Sequence, residues 1–204
     1  GTPMAHWVGR GLMQEPDPDL AADMYELACE VLGAAGYRQY EISNWALEDG
    51  QGWRTCLHNL QYWSGLPYLG LGAGAHGYAG GVRTVNVLAP KAYIQRCQDG
   101  DPQNFPRTPA TTQAEKVTFD AELGETMMLG LRLVEEGGGA AVFSARFGRS
   151  LQEVYGLQIE KFVRLGLLEW TDREESLRLT RAGRLVGNQV FLEFLIESGS
   201  PEGG

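Results

Sequence analysis

The stretch YRQYEISN, residues 37–44, alternates Tyr40 and Ile42 with polar neighbours, as a strand with one buried face does. A helical pattern precedes it. Asp17 is a capping residue, Pro18 suits the first helical position, and Leu20, Met24, Leu27, Ala28, Val31 and Leu32 recur on one face before Gly36. Residues 17–44 therefore read as a helix feeding a strand, half of a βαβ unit. A second strand-like run, PYLGLGAGAHG, occupies residues 67–77. Strands spaced by helices predict an α/β fold with a parallel sheet or barrel. Ligands would then sit at the strand C-terminal ends, residues 41–44 and 72–76.

Composition narrows the function. The chain has 204 residues, 43% hydrophobic and 21% charged, enough to bury a core in one large or two small domains. No apolar run reaches the roughly 18–20 residues of a membrane span and no leader opens the chain, so a cytoplasmic protein is expected. Cys29, Cys56 and Cys97 are odd in number and scattered, which argues against a disulfide framework and offers no C-x-x-C metal spacing. A net charge of −9 makes a nucleic-acid surface a poor fit, because phosphate binding needs clustered Lys and Arg. Small molecules or proteins are the expected partners. The opening GTPMAHW lacks an initiator methionine and reads as the inside of a turn in a longer protein.

GAGAHG, residues 72–77, matches G-x-G-x-x-G, but a dinucleotide loop needs a helix to open directly behind it. Here YAGGVRTVNV, residues 78–87, continues as glycine turn and strand. Two readings remain: a tight corner needed for close packing, or a side-chain-free surface on which a flat ligand can lie. Farther on, DGDPQNFPRTPATTQ, residues 99–113, reads as a linker, so two domains are expected, 1–107 and 108–204. The second is helical at first: Leu123, Met127, Met128, Leu131 and Leu133 fit a buried helix, with the methionines as core filler. A short helix in GGGAAVFSARFG (137–148) and a long one ending near Gly166 follow. Two strands, 167–171 and SLRLT, flank the turn DREE at 172–175, and Thr180 caps a last helix through Leu195. Helices, a β-hairpin and a final helix make a winged-helix-like α+β module. From Asp120 onward Asp and Glu outnumber Lys and Arg 14 to 9, so packing or partner docking is favoured over duplex binding.

YEISNWA (40–46), C-x-HN-x-x-YW, YLGLGAGAHG (68–77), Arg83 and Asn86 as R-x-x-N, and MMLGLRL (127–133) occur in this order. Together they resemble the oxygen-independent coproporphyrinogen III oxidase-like radical-SAM family, in its HemW-type haem-chaperone branch. The resemblance spans nearly the whole chain and implies the last part of a partial (β/α) barrel followed by a small C-terminal domain. The cofactors it implies are a 4Fe-4S cluster and S-adenosylmethionine, but the cluster motif C-x-x-x-C-x-x-C is missing here and is expected N-terminal to Gly1. It further implies haem binding through His58, Asn59, Tyr62 and Trp63, and haem-accepting proteins as partners. A peripheral membrane partner and a homodimer are compatible with it.

The chemistry fits. Haem iron accepts a neutral imidazole as axial ligand, and a porphyrin face buries well against aromatic rings. On a helix, His58 and Tyr62 share a face at i, i+4 with Trp63 beside them, and Asn59 could orient a loop or a propionate. His58 is thus the expected metal ligand, against the plainer reading of a hydrogen-bonded structural histidine beside a core tryptophan. Cys56 is a rival soft ligand. By the same resemblance, the backbone of Gly74, Ala75 and His76 lies against the adenine of S-adenosylmethionine. Arg83 could meet a carboxylate or form a surface ion pair, and Glu41 a site acid or a cation's partner. No catalytic residue is assigned. The competing functions are an oxygen-independent coproporphyrinogen III dehydrogenase and a structural or docking fragment without a site of its own.

Overall fold

The computed structural model describes residues 2–171 and 175–195. Its contacts divide into two compact units, Gly1–Thr55 and Cys56–Gly204. The first opens with α1 (Pro3–Gly9), a helix where the sequence reads as a turn. Its second helix, α2 (Pro18–Ala34), starts as expected: the Asp17 carboxylate accepts from the amides of Asp19 (2.9 Å) and Leu20 (3.3 Å), and Pro18 needs no partner for its nitrogen. The apolar stripe on α2 is present and faces outward, with Leu20, Met24, Leu27 and Val31 between 56% and 63% exposed.

The strand after α2 is β1 (Tyr37–Glu41), and it turns straight back into β2 (Asn44–Leu47). The expected parallel pairing is replaced by an antiparallel hairpin, because two residues, Ile42 and Ser43, are too short for any parallel crossover. Every ladder among the described residues is antiparallel. Glu41 is fully buried, pairs with no cation in the ion pairs seen among the described residues, and leaves Oε2 without a hydrogen-bond partner there. Its Oε1 accepts from the Ser43 amide (3.1 Å) and from Asn44 Nδ2, stapling the hairpin turn. Gln39 Nε2 donates to Tyr25 Oη (2.6 Å) and to the Ile42 carbonyl (2.8 Å), tying the turn to α2.

The second unit begins with α3 (Leu57–Trp63). After a glycine-rich loop come β3 (His76–Ala79) and β4 (Val82–Asn86), paired as a hairpin around Gly80 and Gly81. Residues 67–75, expected to continue a strand, form only a single bridge between Tyr68 and Tyr78. As expected, no helix opens behind GAGAHG. An unforeseen helix, α4 (Pro90–Asp99), follows. The residues read as a linker then deliver β5 (Thr111–Lys116) to the free edge of β4, giving the order β3-β4-β5. The β4–β5 ladder therefore runs across the division expected between residues 107 and 108.

From there the helices fall where their patterns place them. They are α5 (Phe119–Gly130), α6 (Ala140–Phe147) and α7 (Leu151–Arg164), with the two-residue β6 (Gly138–Gly139) between the first pair. Ser150 and Glu153 close a reciprocal capping box at the start of α7. Strands β7 (Leu168–Trp170) and β8 (Ser176–Leu179) join β6 in the order β6-β8-β7. Most of the expected turn at 172–175 lies outside the described residues. Thr180 caps as anticipated, but the last helix breaks at Val186 into α8 (Arg181–Leu185) and α9 (Gly187–Leu195). Helices α5 and α9 cross closely because residue 124 is glycine: a Cβ there would lie 2.7 Å from the Phe194 carbonyl oxygen. Around this crossing Leu123, Met127, Phe143, Ile159, Leu177 and Phe194 form the buried core. No helix among the described residues is long and apolar enough to cross a membrane.

The glycine corner at residues 70–77 is built on Asn86. This buried side chain donates from Nδ2 to the carbonyls of Gly70 (2.9 Å) and Gly72 (3.0 Å), and its amide donates to the Ala75 carbonyl (2.9 Å). The chain passes itself so tightly that a Cβ on Gly70 would meet the His76 oxygen at 2.4 Å. Asn86→Ala strands two carbonyls in a loop that cannot relax around them. We expect a loss of about 2–3 kcal/mol in urea unfolding; a change below about 0.5 kcal/mol would show that the corner stands without it.

Tyr155, buried on α7, has its phenol pushed up to about 12 by burial, with the Asp120 carboxylate adding to the effect. An unfolded tyrosine loses its proton near pH ~10, so above that pH the folded state holds a proton the unfolded state has released. The associated stability is full below pH ~10 and falls by about 2–3 kcal/mol as pH rises toward 12. Tyr155→Phe removes this term, so the variant's urea midpoint should drop less steeply between pH 9 and 11.5 than that of the parent. Parallel profiles would contradict it.

Candidate functional site

Helix α3 has only 7 residues, a length at which packing and not propensity holds a helix together. Cys56 is its exposed N-cap residue and makes no side-chain cap bond. As the spacing requires, His58 and Tyr62 meet on one face, their ring centroids 4.9 Å apart and edge to face. Tyr62 in turn packs on Tyr68 at 4.6 Å. Trp63 is covered by the Arg132 guanidinium, 4.4 Å above its ring, and Arg132 also lies 5.7 Å from the Phe191 ring on α9. The indole Nε1 of Trp63 and Nε of Arg132 are buried without hydrogen-bond partners among the described residues.

Tyr62 and Trp63 form one wall of a cleft of about 540 Å³, and α5 forms the other. Two ion pairs border it: Arg83 of β4 with Glu125, and Arg146 of α6 with Glu122 through Nη2 (2.5 Å) and Nε (3.2 Å). Tyr78 Oη lies 3.5 Å from Glu122 Oε1. Burial, then the neighbouring Tyr62, raises the Tyr68 phenol above its ordinary range; burial, then Glu122, does the same for Tyr78. Both phenols are therefore neutral at physiological pH. The hydrogen bond to Glu125 raises Arg83 further, fixing its charge. An adjoining hollow of about 440 Å³, lined by Leu66, Met127, Leu133, Val142 and Phe143, shares Trp63 with the cleft. The arrangement suits a flat, largely apolar ligand that carries acidic groups on one edge.

The expected site residues separate into two groups. Tyr62 and Trp63 line the cleft, whereas exposed His58 stands one ring away behind Tyr62 and half-buried Asn59 follows it on α3. Gly74, Ala75 and His76 do not line the cleft and connect to it through the Tyr68–Tyr78 bridge. In the corner the Gly74 amide donates to Val87 and the Ala75 amide to Gly72, and the Leu88 side chain packs over Gly74, so neither amide is a free donor. Arg83 makes the ion pair that its lone position suggested, and Asn86 is structural. Tyr68, Tyr78, Glu122, Glu125 and Arg146 were not legible as site residues. Glu122 and Glu125 are spaced i, i+3 on a helix, a weak sign of a shared face, but Arg146 arrives from another helix. None of the three cysteines forms a disulfide, and no group of three or more His, Cys, Asp or Glu among the described residues could hold a metal ion. The chain's described residues do not fit an iron–sulfur cluster.

Residues 117–186 match the HemN C-terminal domain. The chain is 37% identical over 188 residues to "Heme chaperone HemW" of Bacillus subtilis (strain 168), covering 92% of this chain and 46% of that protein. It is 35% identical over 195 residues to the protein of the same name from Mycobacterium tuberculosis (strain ATCC 25618 / H37Rv), covering 96% and 44%. The chain thus spans less than half the length of these relatives. Among solved structures, coproporphyrinogen III oxidase (HemN) from Escherichia coli, described as a radical SAM enzyme, superposes with a TM-score of 0.60 at 17% identity over 89% of this chain and 42% of that one. The fold of helices and strands is therefore that of HemN, and by sequence the chain belongs to the HemW–HemN family, with residues 117–186 as its HemN C-terminal domain.

Proposed function

We propose that this chain is the haem-handling part of a haem chaperone that passes haem to acceptor proteins. One observation carries the reading: α3 sets the His58 imidazole against Tyr62 while Tyr62 and Trp63 wall an open cleft. Relatives at 33–37% identity that bear the name heme chaperone support it. In this reading haem is cargo. Tyr62 and Trp63 offer its face an aromatic wall, and His58, with Asn59 beside it, supplies an axial nitrogen once the Tyr62 ring that stands between it and the cleft turns aside. The same reading gives the backbone of Gly74, Ala75 and His76 to the adenine of S-adenosylmethionine.

The same reading takes residues 1–107 as the end of a partial (β/α) barrel, supported by the likeness to HemN. Residues 108–204 would be the winged-helix-like module, which contains the whole family-model match. Helices α6 and α7, the β7–β8 hairpin and the β6 edge strand follow that module's order. Its excess of acidic residues suits protein docking and not DNA.

The test is a ferric haem titration of the chain followed by absorbance. His58→Ala should shift the Soret band and weaken binding roughly tenfold, about 1.4 kcal/mol, since haem still lodges against the aromatic wall. His76→Ala should leave both unchanged. Identical spectra and affinities for a folded His58→Ala and its parent would return α3 to a structural role.

A further inference from the structure

The haem-carrier reading leaves the two ion pairs of the cleft without a task. We propose that Arg83 and Arg146 are the carboxylate-binding pair of this site, and that the two carboxylates of the bound tetrapyrrole displace Glu125 and Glu122 from them. Each arginine sits with a phenol on the same cleft lining, Arg83 beside Tyr68 and Arg146 beside Tyr78 through their shared Glu122 neighbour. The two glutamates stand on one face of α5, opposite the aromatic wall. A flat molecule against Tyr62 and Trp63 with acids on one edge thus finds two guanidiniums, and both are already in use.

Occupancy by glutamate is what makes the site suitable for transferable cargo. The side chains of Arg83 and Glu125 are 50% and 23% exposed, and those of Arg146 and Glu122 are 30% each, so every partner borders solvent. Ion pairs this exposed contribute little to stability, about 0–1 kcal/mol each. Exchanging a glutamate for a ligand carboxylate conserves the charge-assisted hydrogen bonds, and the released glutamate rehydrates at the surface and leaves no bare charge buried. The exchange is close to balanced in both directions. Haem enters without a large electrostatic trap forming, and the glutamates resume their places as it leaves.

The experiment titrates the chain with ferric haem and, in parallel, with haem dimethyl ester, whose carboxylates are capped. Arg83→Ala/Arg146→Ala, which leaves the haem carboxylates beside Glu122 and Glu125 with no cation between them, should weaken haem binding about two- to fivefold and leave the ester's affinity unchanged. Glu122→Gln/Glu125→Gln, which removes the competitors, should tighten haem about two- to fivefold with no effect on the ester. Soret positions should match the parent in both variants, separating this role from that of His58. Equal effects on haem and ester, or none on haem, would overturn the carboxylate assignment while haem binding itself stands. A parent chain that binds neither compound would instead remove the haem-carrier reading, and this proposal with it. If circular dichroism shows the arginine variant unfolded, the glutamine variant alone decides, since loss or constancy of haem affinity there contradicts the proposal.

Discussion

The guanidinium of Arg132 lies between two aromatic rings, 4.4 Å from that of Trp63 and 5.7 Å from that of Phe191. Much of the site depends on this contact. A helix of 7 residues has no independent stability, so α3 takes its place from what packs on it: Arg132 over Trp63, and Tyr68 against Tyr62. Phe191 belongs to α9, which crosses α5 closely at Gly124. The aromatic wall of the cleft is therefore positioned by the C-terminal helices. A cation between aromatic faces contributes about 0.5–2 kcal/mol when desolvated, enough to choose between rotamers of a tryptophan whose indole nitrogen has no hydrogen-bond partner among the described residues.

The ionisable groups of the cleft keep fixed charge states near neutral pH. Its phenols are pushed up and stay neutral, and its Arg83 is pushed up and stays charged. Opposite charges are also matched within the lining, two arginines to two glutamates, so the empty cleft carries no strong field of its own.

Two features that look functional in the sequence are used to hold backbone. Glu41 ends a strand where an α/β sheet would place a ligand, yet it is fully buried and satisfies the turn of a hairpin. Asn86, spaced from Arg83 like a paired recognition motif, satisfies carbonyls of the glycine corner. In both cases an irregular segment leaves polar main-chain groups that must find partners once buried, and the nearest short polar side chain supplies them.

Local features were legible along the chain because their causes are local. Caps at Asp17 and Thr180, the helical spacing of His58 and Tyr62, and the buried stripe of α5 each follow from residues a few positions apart. The helix feeding YRQYEISN was equally clear, but its pairing was not, since a strand's pattern records which face is buried and not the direction of its neighbour. β5 was hidden for a related reason: TTQAEK is a polar edge strand, and its identity depends on β4 alone. By itself, then, the sequence determined the helices other than α1 and α4, the caps at Asp17 and Thr180, the HNxxYW helix with its family, and the charge balance that disfavours nucleic acid. Only the tertiary structure decided that the sheets are antiparallel, that His58 stands behind Tyr62, and that Arg83, Arg146, Glu122 and Glu125 meet at one cleft. Those residues come from three elements, and a contact between distant segments is written in packing and not in spacing.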